Sequence, residues 1–152
     1  MAGKTLRLQF AIVAFSEGLI DMVWTQGFKG RPHVKTFKDI RARLVLQCRK
    51  TNDLLLTEGT ITKRDRENVK QLIETFRQNN IPASGRFDVM DAVSFCIALV
   101  VDQLARTKGK KRQAFELLLE RWRELDRYFD FYQEYEEAGG LLAAENFQRL
   151  TG

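Results

Sequence analysis

This chain is poor in the residues that most catalytic and metal chemistry uses. Its 152 residues include one histidine, His33, and two cysteines, Cys48 and Cys96, with no Cys-x-x-Cys spacing. A structural zinc site draws four N or S ligands from closely spaced motifs, and none is present, so no metal or other cofactor is expected. Glu-x-x-His is also absent, which excludes the carboxylate-bridged di-iron pattern of helical bundles. Both cysteines stand inside apolar helical patterns, which predicts reduced thiols in a core. A disulfide would need their Cα atoms within about 7 Å, and sequence does not specify that.

Long apolar runs are missing too. The longest, Val93 to Val101, is interrupted by Ser94 and is about half of what a bilayer requires. Near the start, Lys4 and Arg7 precede a short apolar run from Phe10 to Phe15, but Glu17 and Asp21 follow at once. That is too short for a secretory signal, and no small-residue cleavage site follows. A cytoplasmic protein with no membrane partner is the expectation. The two prolines, Pro32 and Pro82, lie well apart, alternating β-branched runs are nearly absent, and no internal repeat stands out.

The catalytic motifs that do occur fail on context. Gly3-Lys4-Thr5 matches the tail of a phosphate-binding loop, but no glycine stands five residues earlier and no strand precedes it. Asp91 and Asp102 are eleven residues apart and so fall nearly on one line of a helix, with Ser94 and Ala98 close to it. The pair reads as the wetted edge of a buried helix in preference to an acid pair. His33 sits in a Gly/Pro loop beside Arg31 and Lys35 with no nucleophile in a recognisable motif nearby. No catalytic residue and no small-molecule substrate are therefore predicted, and the protein is read as a non-enzyme.

What is abundant is helical periodicity. The pattern predicts helices from about Thr5 to Trp24, Thr36 to Leu56, Thr62 to Asn79-Asn80, Phe87 to Ala105 and Lys111 to Glu137, with a short last helix over Leu141 to Leu150. Thr36 and Thr62 are suitable N-caps, and Gly139-Gly140 ends the fifth helix. Val69, Leu72, Ile73 and Phe76 give the third helix an i, i+3, i+4, i+7 stripe. The fourth is apolar almost all round, as the buried centre of a bundle would be. One all-α domain spanning 1–152, a bundle of five to six helices around the helix at about 87–105, is the expected fold.

Charge is distributed in blocks. Lys29 to Lys70 holds twelve basic residues against five acidic ones, Arg106 to Arg112 adds five basic and no acid, and from Gln113 onward nine acids face four arginines. Interspersed signs would serve solubility, so single-sign blocks suggest a partner surface. Lys63, Arg66, Lys70 and Arg77 share one side of the third helix, next to its apolar stripe. Lys38, Arg41 and Arg49 share a side of the second, and Lys110 and Lys111 lie in the basic linker. Such arrays can meet successive phosphates of a nucleic-acid backbone and release counterions. A solvated face is the competing reading, since Glu67 and Glu74 are spaced to pair with Lys63, Lys70 or Arg77.

The fifth helix carries Phe115, Leu118, Trp122, Leu125, Phe129 and Tyr132 at steps of three and four, an a/d seam over nearly three heptads. It packs inside the bundle or, through Phe115, Trp122, Phe129 and Tyr132, pairs with another copy or another protein. Its basic start (Lys110, Lys111, Arg112) and acidic end (Glu134, Glu136, Glu137) both oppose the helix macrodipole, so a salt bridge or a partner must favour them. Two functions follow as expectations. The first is a small helical subunit of a nucleoprotein assembly that holds DNA or RNA by its backbone. The alternative is a protein–protein module, such as an inhibitor, adaptor or assembly factor, that uses the aromatic helix.

Overall fold

A computed structural model describes residues 2–25, 35–55, 62–131 and 141–148. They form an all-α bundle: α1 (Ala2–Val23), α2 (Lys35–Leu55), α3 (Lys63–Asn80), α4 (Val89–Leu104), α5 (Gly109–Phe131) and a short α6 (Ala144–Gln148). Two three-residue strands accompany them. β1 (Arg86–Asp88) pairs antiparallel with β2 (Leu141–Ala143), with Arg86 opposite Ala143 and Asp88 opposite Leu141. No helix among the described residues is long and apolar enough to cross a membrane.

Local chemistry sets most of the boundaries. Thr62 caps α3 as its sequence suggests: its hydroxyl accepts from the Asp65 N–H at 3.3 Å, and the Asp65 carboxylate accepts from the Thr62 N–H at 2.8 Å. This reciprocal box satisfies two donors that a helix start leaves orphaned. Thr36, by contrast, lies inside the first turn of α2, which begins at Lys35. Asp88 caps α4 by accepting from the Met90 N–H at 2.7 Å. Between α3 and β1 the chain turns at Gly85, whose φ of 74° suits glycine, and the Gly85 N–H donates to the Pro82 carbonyl at 3.0 Å. The Gly85 carbonyl then accepts from the Ala144 N–H at 2.9 Å, fastening this turn to the start of α6.

The centre of the bundle is α1, where periodicity had pointed to α4. From Gln9 to Val23 no residue of α1 is exposed. α1 packs against α2, α3, α4 and α6, while α5 closes the opposite side against α2 and α4. α4 is buried along one face only (Val89, Ala92, Val93, Cys96, Val100, Gln103). Its opposite edge of Asp91, Ser94, Ala98, Val101 and Asp102 is exposed. Composition misleads here because Ala98 and Val101 are apolar yet sit at the edge where no other helix covers them.

Two aromatic clusters fill the core. Phe15, Phe76, Phe87, Phe95 and Phe147 meet with ring centroids 5.0–5.6 Å apart, tying α1, α3, β1, α4 and α6 together. Trp24 stacks on Phe37 at 5.8 Å, and Phe37 meets Tyr128 and Phe129, joining the end of α1 to α2 and α5. Such pairs add about 0.5–1.5 kcal/mol each beyond area burial. Polar links are fewer. Gln9 donates to Gln103 at 3.1 Å between α1 and α4, and Gln47 on α2 donates to the Ala114 carbonyl on α5 at 3.4 Å.

Candidate nucleic-acid interface

Three helices carry the basic residues, and packing treats them differently. On α2 the half-buried Arg41 donates to Asp21 of α1 at 2.7 Å, and its guanidinium lies 5.3 Å from the Trp24 ring centre. Arg49 donates through Nε to Glu17 of α1 at 3.1 Å. Arg43, on the other flank of α2, pairs with Glu124 of α5, which Arg121 also meets at 3.3 Å. Lys38 is exposed and forms no ion pair among the described residues. The α2 array is thus largely neutralised from within. α1 and α2 run antiparallel, which brings Glu17 and Asp21 alongside the α2 arginines. Sequence periodicity does not reveal which helix faces which.

On α3 the outcome is the reverse. Lys63, Arg66 and Lys70 are exposed and form no ion pair among the described residues, and the exposed Arg64 adds a further cation that the periodic stripe does not single out. Glu67 and Glu74, spaced to neutralise the stripe, make no ion pair with it. Asp65 is buried and engaged by its cap, where it favours the helix start electrostatically.

The basic linker splits likewise. Arg106 pairs with Asp102 at 3.1 Å, and Arg112 pairs with Glu116 at 3.0 Å and donates to the Leu104 carbonyl at the end of α4. Those contacts show what holds Arg112 against the α5 dipole. Lys110 is exposed and Lys111 half-buried, and neither is ion-paired among the described residues. Glu134, Glu136 and Glu137 lie outside the described residues.

The expected protein-interface residues of the fifth helix are corrected by their burial. Phe115 and Trp122 have no exposure and Phe129 has 6%, all within this chain's own core against α2 and α4. Those side chains are consumed by intramolecular packing and are not presented to a partner. Tyr132 and His33 lie outside the described residues. Asp91 and Asp102 are both exposed on the free edge of α4, with Asp102 held by Arg106, as the wetted-edge reading expects. Among the described residues no group of three or more metal-ligating side chains comes together.

Cys48 and Cys96 are both buried and free. Burial pushes each thiol well above its usual value, reinforced at Cys48 by the Glu17 carboxylate and opposed at Cys96 by the neighbouring Ser16 hydroxyl. These are inert core thiols, as the apolar pattern predicts.

One carboxyl is out of place. Partial burial, and then the neighbouring Asp130, raise the Asp126 carboxyl above its usual range against the opposing pull of Arg127. A carboxyl with a folded pKa above its unfolded one favours the folded state when protonated, and ionisation weakens that preference. Asp126→Asn should therefore raise the thermal midpoint at neutral pH. It should leave the midpoint unchanged well below the carboxyl range, where both side chains are neutral. Melting curves of the two proteins across pH check the sign.

Between α1 and α2 runs an open groove of about 380 Å³. Phe10, Ala14, Glu17, Gly18 and Asp21 line it from α1, and Arg49, Asn52 and Asp53 line it from α2. The Asn52 Oδ1 is buried with no hydrogen-bond partner among the described residues. No protein-family model, curated protein or solved structure matches this chain.

Proposed function

We propose that this protein is a non-enzymatic nucleic-acid-associated protein, a small helical subunit of a cytoplasmic nucleoprotein assembly, that holds the phosphate backbone through α3. The observation that carries this reading is the stripe of Lys63, Arg66 and Lys70. It is exposed, on a rigid and well-capped helix, and without intramolecular ion pairs among the described residues, whereas the arginines of α2 are matched by acids. Lysines and arginines left unmatched on a fixed surface release counterions when phosphates replace them. Lys38, Lys110 and Lys111 supplement the stripe. Arg41 and Arg49 serve less, since each already has a carboxylate partner. Backbone contacts alone position a nucleic acid without reading its sequence.

The test is a salt titration. A labelled oligonucleotide should bind at 50 mM salt, with the logarithm of affinity falling linearly in log salt with a slope of about −3 to −5, the value for four to six neutralised phosphates. No binding at low salt, or binding indifferent to salt, would overturn the reading.

A protein–protein module remains the second reading, now on different residues. Leu46 of α2 and Leu117 of α5 are 52% and 44% exposed, and α2 and α5 pack against each other. These exposed leucines, not the buried aromatic seam, are where another subunit or a second copy would dock.

A further inference from the structure

α4 carries apolar side chains that the described residues do not bury. Its 16 residues include two charged ones, Asp91 and Asp102. One face enters the core. The opposite face of Ser94, Ala98, Val101 and the two aspartates is exposed, with Val101 at 42%. Ile97 and Leu99 flank it and are only half-buried. The exposed sides of α2, α3 and α5 carry charged residues such as Lys50, Arg64 and Glu120 instead. Scattered apolar residues at a surface need no partner. What distinguishes this face is the order of its charges.

Read from the helix start, the face runs acid, apolar centre, acid, base. Asp91 is exposed in the first turn and forms no ion pair among the described residues. Ala105 keeps a right-handed helical backbone past the end of α4, so Arg106 returns to the same face and donates through Nε to Asp102 at 3.1 Å. Arg106 commits only Nε there, which leaves its terminal guanidinium N–H groups open to a second carboxylate.

A second copy of this face, running antiparallel, matches that order. With a two-fold axis at Ala98, Asp91 lies about 10.5 Å toward the helix start and Arg106 about 12 Å toward its end, at 1.5 Å per residue. The two-fold reverses the other copy, so Asp91 of each comes level with Arg106 of the other. By the same count Ser94 and Asp102 both lie about 6 Å from the axis, so hydroxyl meets carboxylate across the pair. Ala98 faces its own counterpart, where a small side chain lets the helices approach. A parallel pairing would instead oppose Asp91 to Asp91 and Asp102 to Asp102.

We infer that the free face of α4 is a self-association surface and that its occupant is a second copy of this chain, packed antiparallel about Ala98. Such a closed pairing uses one patch on both copies. Ala98, Val101 and the flanking Ile97 and Leu99 form its apolar centre, and the Asp91–Arg106 contacts at both ends fix its direction. One helix pair is a small interface, so the equilibrium belongs in the micromolar range. The inference stands apart from the polyanion reading and uses neither Leu46 nor Leu117.

The experiment is analytical ultracentrifugation of the nuclease-treated full chain from about 5 µM to about 500 µM, a range that spans a micromolar equilibrium. Wild type should pass from monomer to dimer. Ala98→Glu, which opposes like charges at the axis, should weaken the dimer at least about tenfold. Asp91→Arg and Arg106→Glu should each weaken it about threefold to tenfold, because each opposes like charges at both ends. An equimolar mixture of those two variants should associate more tightly than either alone, since in the mixed dimer both ends again pair opposite signs. Circular dichroism should show every variant helical, with a thermal midpoint near that of wild type. A monomer at every concentration would overturn the inference. A dimer that Ala98→Glu leaves intact would do so too, by placing the interface elsewhere. A mixture no better associated than its components would remove the antiparallel pairing. A lowered midpoint for a monomeric Ala98→Glu variant would mean that another part of this chain covers the face, and would overturn the inference as well.

Discussion

Replacing Trp122 by alanine should cost about 3–5 kcal/mol of stability, a large share of the roughly 5–15 kcal/mol that a domain of this size has in total. Trp122 has no exposed surface and lies midway along the buried seam of Phe115, Leu118, Leu125 and Phe129. That seam packs α5 onto both α2 and α4, so the void would open where three helices meet and could not close by moving one of them. Urea unfolding should show a lower midpoint with little change in slope. Trp122→Phe is the informative companion. The indole N–H is buried without a hydrogen-bond partner among the described residues, so removing it forfeits no bond to them and relieves a desolvated donor. The phenylalanine variant should lose less than about half as much as the alanine one. Equal losses would mean that the indole N–H has a partner. A negligible loss on Trp122→Ala would mean that α5 is not packed as described.

The second large effect belongs to the surface. Lys63, Arg66 and Lys70 changed together to glutamate should reduce nucleic-acid affinity by more than about a hundredfold at 0.1 M salt and make the salt slope shallower by about three. Converted at 1.4 kcal/mol per tenfold, that is roughly 3 kcal/mol of binding free energy. Stability should barely move. All three side chains are exposed and unpaired among the described residues, and the cap at Thr62 and Asp65 and the buried stripe of Val69, Ile73 and Phe76 are untouched. The combination separates a binding surface from a merely solvated one. If affinity survives the triple reversal, α3 is not the contact. If the helical spectrum collapses with it, the stripe has a structural duty that its exposure conceals. Because Glu67 and Glu74 leave the stripe unneutralised, the reversal creates a strongly acidic face on α3.

Much of the fold was legible from local chemistry. The stripe of Val69, Leu72, Ile73 and Phe76 points α3 at the core because side chains three and four apart share a helix face, and Thr62 followed by Asp65 marks its start because an orphaned N–H needs an acceptor. The seam from Phe115 to Phe129 was equally plain as an apolar face. Its partner was not: the same periodicity serves an internal helix and an external one, and only burial against α2 and α4 decides for the first. β1 and β2 were out of reach, since three-residue strands are too short to show an alternating pattern and their pairing joins Arg86 to a residue more than fifty positions away.

The candidate site divides along the same line. By itself the sequence determined which residues carry positive charge, that they recur at helical spacing, and that metal and nucleophile motifs are missing, because composition and periodicity are properties of the chain alone. Tertiary structure decided which of those charges remain free. Antiparallel packing of α1 on α2 sets Glu17 against Arg49 and Asp21 against Arg41, while α3 meets α1 through its apolar stripe and leaves Lys63, Arg66 and Lys70 without a carboxylate among the described residues. An ion pair depends on a separation of a few ångströms between residues distant in the chain, and only the packing of the helices fixes that separation.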